Sequence, residues 1–220
     1  MIAITLPDGS VRKYENDLTV LDVAKDISEG LARNVLSARF NDTIIEASTV
    51  ITSSGELRLY TWNDDEGKAA FWHSSAHVLA QSILALYPEA KLTIGPAIEN
   101  GFYYDVDFGD VAFSENDLQK LEQQFLTFAR QKFEFKMRDS SKADALAFYK
   151  NENNPFKVEL IENLEDGTIT FCDHSDFTDL CRGGHLTNTG FIKAIKLLSV
   201  AGAYWRGDEK KTQLTRIYGI

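Results

Sequence analysis

The stretch IAITLPDGSVRKYE, residues 2–15, decides the fold of the first part of the chain. Ile2, Ile4 and Leu6 alternate with smaller or polar residues, which is the period of a strand with one buried face. Pro7-Asp8-Gly9 then supplies turn-forming residues, and a second alternating stretch runs from Val11 to Glu15. The pattern predicts an antiparallel β-hairpin.

The residues that follow extend this hairpin into a small mixed domain. Thr19 is placed to cap a helix from Val20 to Ile27, with Gly30 as its stop signal. Further strands are expected over residues 37–40 and 56–60. Such an order within about sixty residues is typical of a ubiquitin-like β-grasp. Residues 63–67 are acidic and turn-prone, so we place the boundary after residue 62, which gives domains 1–62 and 63–220.

The second domain mixes helices and strands, so the chain is assigned to the α+β class. A long helix is predicted from Lys68 to Tyr87, with apolar residues on one face and His73 and His77 on an opposite face that is also largely uncharged. Both faces should therefore be covered, and the histidines should line a cleft. Further helices are predicted after the cap at 114–117 and over 144–150, and strands over 158–161 and 168–171.

Composition limits the classes of function. The formal net charge is -10, which argues against a broad nonspecific grip on nucleic acid. No apolar run approaches the roughly 20 residues of a membrane helix, and the first residues lack the basic start of a secretory signal. We therefore expect a cytoplasmic protein with no membrane partner. Cys172 and Cys181 are too few for a disulfide framework and are expected to be thiols.

Two pairs of residues are the best candidates for chemistry. His73 and His77 have the i,i+4 spacing that places two rings on one helix face, and Cys181 is followed four residues later by His185. Together they offer four groups of the kind that zinc prefers. The alternative is that they are partly buried side chains whose polar atoms bind the backbone. Arg182 is suited to a phosphate or a carboxylate, although loop arginines are commonly only solvated.

Several motifs resemble one known family in composition and order. They are His73-Ser74-Ser75-Ala76-His77, Ile94-Gly95-Pro96, residues 100–105 (NGFYYD), residues 179–185 (DLCRGGH), residues 201–208 (AGAYWRGD) and residues 216–219 (RIYG). This set is similar to threonyl-tRNA synthetase over essentially the whole chain. The resemblance implies a TGS domain of β-grasp type, then an α/β editing domain of the threonyl/alanyl-tRNA synthetase type. The class II catalytic and anticodon-binding domains of that family would follow Ile220.

The resemblance also implies an activity, the hydrolysis of serine wrongly attached to threonine tRNA. A pocket that accepts threonine cannot strongly reject serine, because a missing methyl is worth only about 1 to 3 kcal/mol, so a second hydrolytic site is needed. The family assigns water positioning and proton transfer to His73 and Lys157. Other implied catalytic residues are His77, Cys181 and His185, and implied substrate-binding residues are Tyr104 beside the terminal adenosine, Asp179 on the serine amino or hydroxyl group, and Arg182.

The same resemblance sets the expected cofactors and partners. We favour no catalytic metal in this chain, with zinc on His73, His77, Cys181 and His185 as the alternative. Zinc and ATP-magnesium are expected in the catalytic domain of a complete synthetase. The expected partner is the aminoacylated 3' end of tRNA(Thr), and we expect a monomeric chain and a homodimeric full-length enzyme.

Two other classes of function stay open at this point. One is a non-catalytic tRNA-docking or regulatory module, and the other is a structural zinc domain. The chain also departs from many relatives, which carry a cysteine where it has Ser75 and a proline where it has Gly184. A glycine loosens the loop that holds Cys181 and His185.

Overall fold

The computed structural model describes residues 1–220 and divides into two compact units. The first unit comprises residues 1–74 together with residues 184–188, and the second comprises residues 75–183 and 189–220. The first unit therefore includes five residues from far along the chain. The domain boundary after residue 62 remains a prediction.

The first unit is built on a five-stranded sheet with two helices. Its elements are β1 Ile2–Thr5, β2 Val11–Tyr14, β3 Leu18–Thr19, α1 Val20–Ile27, α2 Glu29–Ala32, β4 Ser37–Phe40, β5 Thr43–Ile45, β6 Val50–Ile51 and β7 Gly55–Tyr60. The sheet order is β2-β1-β7-β4-β5, with β1 parallel to β7, and β3 pairs with β6 separately. This mixture of strands and helices confirms the predicted α+β class. The hairpin predicted for residues 2–15 is also present, because β1 pairs with β2 in antiparallel fashion.

Local sequence explains the start and end of α1. The Thr19 side chain accepts a hydrogen bond from Asp22 N, and the Asp22 carboxylate accepts one from Thr19 N, which completes a capping box. The prediction that Gly30 ends this helix was wrong. The helix ends at Ile27 because Ser28 is extended, and the Ser28 side chain caps α2, in which Gly30 lies.

The core of the first unit is the apolar face of the hairpin packed on α1. Ile2 and Ile4 point inwards from β1 and meet Val20, Val23 and Ala24 of the helix, all of them buried. The inward alternation read from the sequence is therefore the alternation that the packing uses.

A long helix, α3, runs from Asp65 to Leu86. It begins three residues before the predicted start, at two acidic residues, Asp65 and Glu66, which suit the positive end of a helix dipole. From Ser74 to Ser82 every residue is buried, including His77 and Ala80 on the face opposite the main apolar stripe. This confirms that the helix is covered on both sides.

The second unit contains two antiparallel sheets with helices beside them. Its further elements are β8 Lys91–Leu92, β9 Ala97–Ile98, β10 Gly101–Asp107, α4 Leu118–Arg130, β11 Lys136–Asp139, α5 Lys142–Asn151, α6 Pro155–Glu162, β12 Thr170–His174, β13 Phe177–Leu180, β14 Leu197–Tyr204 and β15 Gln213–Gly219. One sheet has the order β14-β15-β10-β8, with β9 also on β10, and the other has the order β11-β12-β13. Strands β10 and β13 carry two of the predicted site residues, Tyr104 and Asp179.

One predicted strand was wrong. Residues 158–161 belong to the helix α6, because Pro155 occupies its first turn and the Asn154 side chain accepts a hydrogen bond from Lys157 N at 3.1 Å. The run Val158-Glu159-Leu160-Ile161 has only four residues, and so short a run fits a strand as well as a turn of helix. The correction matters, since it moves Lys157 to the first turn of a helix.

None of the helices combines the length and the apolar character that crossing a membrane requires.

Candidate active site

A buried carboxylate, Asp179, is the centre of a polar cluster in the second unit. Lys157 Nζ lies 2.5 Å from Asp179 Oδ1, and the Tyr149 hydroxyl donates to the same oxygen at 3.2 Å. The Tyr104 hydroxyl donates to Oδ2 at 3.0 Å, and His77 Nδ1 lies 3.4 Å from Oδ2. Asp179 and Lys157 are each only 3% exposed. The side chains come from five different elements and meet at one carboxylate.

The charges of this cluster support one another. Burial disfavours the Asp179 anion, but the neighbouring Lys157 and His77 outweigh it and hold the pKa of this carboxyl well below its usual range. For His77 burial opposes protonation, yet Asp179 and Cys181 raise the pKa of the ring above its ordinary value. Burial, with the Asp179 charge second, raises the pKa of Tyr104 and of Tyr149, so both phenols stay protonated and act as donors.

The helix α6 fixes the position of Lys157. Asn154 caps this helix through its side-chain oxygen, and its Nδ2 donates to Leu92 O at 2.8 Å, which ties the start of the helix to β8. The lysine ammonium also lies 6.0 Å from the centre of the Tyr149 ring. The cap therefore fixes the start of the helix that carries Lys157, whose ammonium pairs with Asp179.

Tyr104 is held by close packing as well as by its hydrogen bond. Gly95 lies against the Tyr104 ring, and a Cβ added to that glycine would overlap the ring atoms. The motif residue Gly95 therefore has a steric reason to be a glycine. Tyr104 is only 2% exposed, and its ring is part of the cluster around Asp179.

A cavity of about 200 Å³ reaches the cluster. Tyr149, Lys157 and Asp179 line it, together with Phe177 and Thr178 of β13. It is large enough to hold a small polar group next to the lysine and the carboxylate.

His77 and Cys181 form the second feature of this unit. His77 Nε2 lies 3.3 Å from Cys181 Sγ, and both side chains are buried. Two ligands of a tetrahedral zinc ion, with bonds of about 2.0 and 2.3 Å, are separated by about 3.5 Å. A carboxylate beside the other ring nitrogen, as Asp179 is here, is the usual support of a zinc-bound histidine. The pair thus fits zinc chemically, and neither Cys172 nor Cys181 forms a disulfide.

In the first unit the loop residue His185 is fully buried and stacked. Its ring lies 4.8 Å from that of His73, with an angle of 26° between the planes. The next residue is held too, because Leu186 N donates to the Ser74 hydroxyl at 2.8 Å. The stacking brings together two residues of the predicted set, His73 and His185, that are far apart in the chain.

Glu46, which follows β5, binds this loop through one oxygen. Glu46 Oε1 lies 2.8 Å from His185 Nδ1, 2.9 Å from His185 N and 3.1 Å from Gly184 N. Burial works against the Glu46 anion, but the hydrogen bonds from His185 and Gly184 outweigh it and lower the pKa of the carboxyl. The backbone bends at Gly184, where φ is +93°, a value in the region that favours glycine.

The predicted site residues therefore have different surroundings. Lys157, Tyr104, Asp179, His77 and Cys181 come together in the second unit, and His73 and His185 come together in the first. Arg182 is exposed, so its predicted contact with substrate remains a prediction.

Two contributors were missed by the sequence analysis. Tyr149 lies in α5 within no recognised motif, and Glu46 lies 139 positions from its partner. The sequence marks Tyr149 only as an aromatic residue with a hydroxyl group in a predicted helix. Such residues are too common to identify a site.

Comparisons with known proteins find two domain families along the chain. Residues 2–61 match the TGS domain, and residues 169–218 match the threonyl and alanyl tRNA synthetase second additional domain. The chain is 64% identical to a threonine--tRNA ligase of Flavobacterium psychrophilum and 65% to one of Flavobacterium johnsoniae, each over 219 residues, and 59% identical over 220 residues to one of Cytophaga hutchinsonii. Each alignment covers the whole chain but 34% of the relative, so the chain spans about a third of the length of these relatives. The chain is thus similar over its whole length to threonine--tRNA ligases, and it carries a match to the TGS domain followed by a match to the threonyl and alanyl tRNA synthetase second additional domain.

Proposed function

We propose that this chain hydrolyses seryl-tRNA(Thr) and spares threonyl-tRNA(Thr). The observation that carries the proposal is the buried cluster in which Lys157 and two tyrosine hydroxyls converge on Asp179 beside a cavity of about 200 Å³. Buried titratable groups next to a cavity, with pKa values moved by their neighbours, are the usual mark of a catalytic site. The similarity to threonine--tRNA ligases supplies the substrate class.

The reaction breaks the ester between serine and the terminal ribose. The oxygen of a water molecule bonds to the carbonyl carbon, and the ribose oxygen leaves with a proton, so that serine and tRNA with a free terminal hydroxyl are the products. A site for this reaction must hold the water, stabilise the negative charge that develops on the carbonyl oxygen, and protonate the leaving oxygen. Histidine and lysine side chains suit these tasks, because each can hold and transfer a proton.

We assign proton transfer and water positioning to His73 and Lys157. The ammonium of Lys157 is also the cation best placed to stabilise the developing oxyanion, because Asp179 holds it in a low-dielectric environment. His77, Cys181 and His185 complete the catalytic set.

Asp179 and Tyr104 are assigned to substrate binding. An ionised carboxylate has about four acceptor positions, and Lys157, Tyr149 and Tyr104 use three of them. The fourth position, on Oδ2, faces His77 Nδ1 at 3.4 Å, so the ammonium or hydroxyl group of serine would bind there in place of the His77 contact. The additional methyl of threonine would collide with the walls or displace an ordered water. We place Tyr104 beside the terminal adenosine and Arg182 against a phosphate of the tRNA end.

The residues also fit a zinc ion, although we favour a reaction without one. If zinc binds, His77 and Cys181 would hold it, with His73 and His185 as the other candidates, and it would lower the pKa of a bound water. A complete synthetase of this family would attach threonine to tRNA(Thr) with ATP-magnesium and zinc in its catalytic domain. We expect a dimer for that full-length enzyme, a monomer for the present chain, and a cytoplasmic location.

The test compares the hydrolysis of seryl-tRNA(Thr) and threonyl-tRNA(Thr) by the 220-residue chain. A His73→Ala, Lys157→Ala double variant is measured beside a Lys210→Ala control, which removes an exposed charge in a turn. We expect loss of the seryl ester only, abolished in the double variant and unchanged in the control. An unchanged rate in the double variant would contradict the assigned roles, and no hydrolysis by the wild-type chain would contradict the function.

A structural zinc site is the second candidate function, favoured by the 3.3 Å separation of His77 Nε2 and Cys181 Sγ. The same assay with a chelator separates the two. We expect both hydrolysis and thermal unfolding to be insensitive to chelation, whereas a structural zinc domain would unfold when the metal is removed.

A further inference from the structure

Glu46 binds the loop at Gly184 and His185, within the first unit, through one carboxylate oxygen. It lies within the residues that match the TGS domain, and its partner lies 139 positions further along the chain. Its side chain is 15% exposed, and the side chain of His185 is fully buried. The contact is therefore a largely desolvated ion-type hydrogen bond and not a surface pair.

The geometry determines which nitrogen of His185 carries a proton. Backbone N–H groups only donate, and two of them, from Gly184 and His185, point at Glu46 Oε1 at 3.1 and 2.9 Å. That oxygen is consequently an acceptor. His185 Nδ1, 2.8 Å from the same oxygen, must donate to it and so holds a hydrogen. In the neutral ring the lone pair is then on Nε2.

We infer that Glu46 is a positioning residue for the hydrolysis of seryl-tRNA, acting through His185 by fixing the tautomer of its imidazole and the direction of its ring. This inference rests on the proposed function, in which His185 belongs to the catalytic set. It gives the residues that match the TGS domain a part in editing, because the carboxylate that orients His185 comes from the first sixty residues.

The rest of the loop is arranged to make this contact. Gly184, with φ at +93°, turns the backbone so that consecutive N–H groups reach one oxygen. A proline at this position would have no N–H to donate and would fix φ near -65°. The face of the His185 ring is held against His73, and Leu186 is held by Ser74. The hydrogen bond from His185 Nδ1 to Glu46 then fixes the rotation of the ring and the nitrogen that carries the proton.

The test uses the 220-residue chain with Glu46→Ala and Glu46→Gln, and with Glu15→Ala as a matched control. Glu15 is an exposed glutamate in the turn after β2. Three quantities are measured: kcat and KM for seryl-tRNA(Thr), the ¹⁵N chemical shifts of the His185 imidazole, and the melting temperature. The first two separate positioning from a general effect on stability.

In Glu46→Ala we expect the preference of His185 for the Nδ1–H form to be lost, and kcat to fall about 10- to 100-fold, as is usual when a partner that orients an active-site histidine is removed. KM should stay within about twofold. Glu46→Gln keeps a neutral acceptor of the same size, so it should fold normally, shift the Nδ1 resonance and lower kcat less than the alanine does. The Glu15 control should match the wild type.

The outcomes separate this inference from the function on which it rests. If the wild-type chain hydrolyses seryl-tRNA and Glu46→Gln matches it in kcat and in the His185 ¹⁵N shifts, the inference is overturned while the function stands. If the wild-type chain does not hydrolyse the ester, the proposed function fails and with it the role in editing. Normal folding of Glu46→Ala with an unchanged tautomer would also overturn the inference.

Discussion

Replacing Asp179 with asparagine removes one charge from the centre of the buried cluster without changing its size. Asparagine leaves Lys157, which is 3% exposed, with no anion at 2.5 Å and with a neutral amide in its place. The amide also presents an NH₂ group, a donor, to tyrosine hydroxyls that now donate to Asp179. The substitution therefore breaks the ion pair and replaces one acceptor oxygen with a donor, so that fewer acceptors remain for the groups that now donate to Asp179.

The size of the effect follows from the burial. Removing one partner of a buried ion pair costs about 3 to 5 kcal/mol, because the other charge is left uncompensated. For a domain of this size each kcal/mol lowers the melting temperature by about 2 to 4 °C, so we expect a decrease of about 6 to 20 °C. Lys157→Met should also destabilise, and the Asp179→Asn, Lys157→Met double variant should be more stable than the sum of the two single effects by at least about 2 kcal/mol.

Urea unfolding of the four chains measures this coupling. Asp110→Asn, which removes an exposed carboxylate, is the matched control and should stay within about 0.5 kcal/mol of the wild type. A change below about 1 kcal/mol for Asp179→Asn, or strictly additive effects in the cycle, would refute the view that this pair is a buried, mutually dependent unit. Hydrolysis of seryl-tRNA should fall at least about 100-fold in each single variant.

Three further predictions concern the same regions. The pKa of Asp179 in the folded chain is lower than its ordinary value, so its contribution to stability is present at neutral pH and is lost as the pH falls below about 4. The difference in unfolding free energy between wild type and Asp179→Asn should therefore shrink between about pH 7 and pH 3. A constant difference would contradict the lowered pKa. Asn154→Ala should cost about 1 to 2 kcal/mol through loss of the α6 cap and should lower kcat by displacing Lys157; normal thermal stability would show that the cap is dispensable. Gly184→Ala should lower the free energy of unfolding by about 1 to 2 kcal/mol. The cause is the positive φ alone, because a Cβ added at this position meets nothing within 4 Å. The control Gly30→Ala, at a glycine without positive φ, should not lower the melting temperature.

Much of the fold was accessible from local sequence. Alternation in residues 2–15 predicted the hairpin, Thr19 predicted the start of α1, and the largely uncharged second face of α3 predicted a helix covered on both sides. These features depend on residues close in the chain, where the periods of strand and helix are distinct. Local signals failed at Gly30 and at residues 158–161, because a cap on one neighbouring residue, Ser28 or Asn154, outweighed the pattern.

The candidate site was accessible only in part. The motifs contain His73, His77, Asp179 and the loop of residues 181–185, and the resemblance to one family added Lys157, which lies in no motif. No motif marks Tyr149, whose role depends on the turn of α5 that faces Asp179. The hydrogen bond from Tyr149 comes from packing, which a linear pattern does not record.

The sequence by itself determined the family resemblance, the order of the two domains and the identities of the groups that carry the proposed chemistry, since each depends on residue type and spacing. Only the tertiary structure decided which atoms meet: that Lys157 points at Asp179 from a helix, that four side chains share one carboxylate, and that Glu46 holds a histidine 139 positions away. The physical reason is that hydrogen bonds and pKa values are set within about 4 Å in space. Residues distant in the chain reach that separation only through the folding of the whole unit.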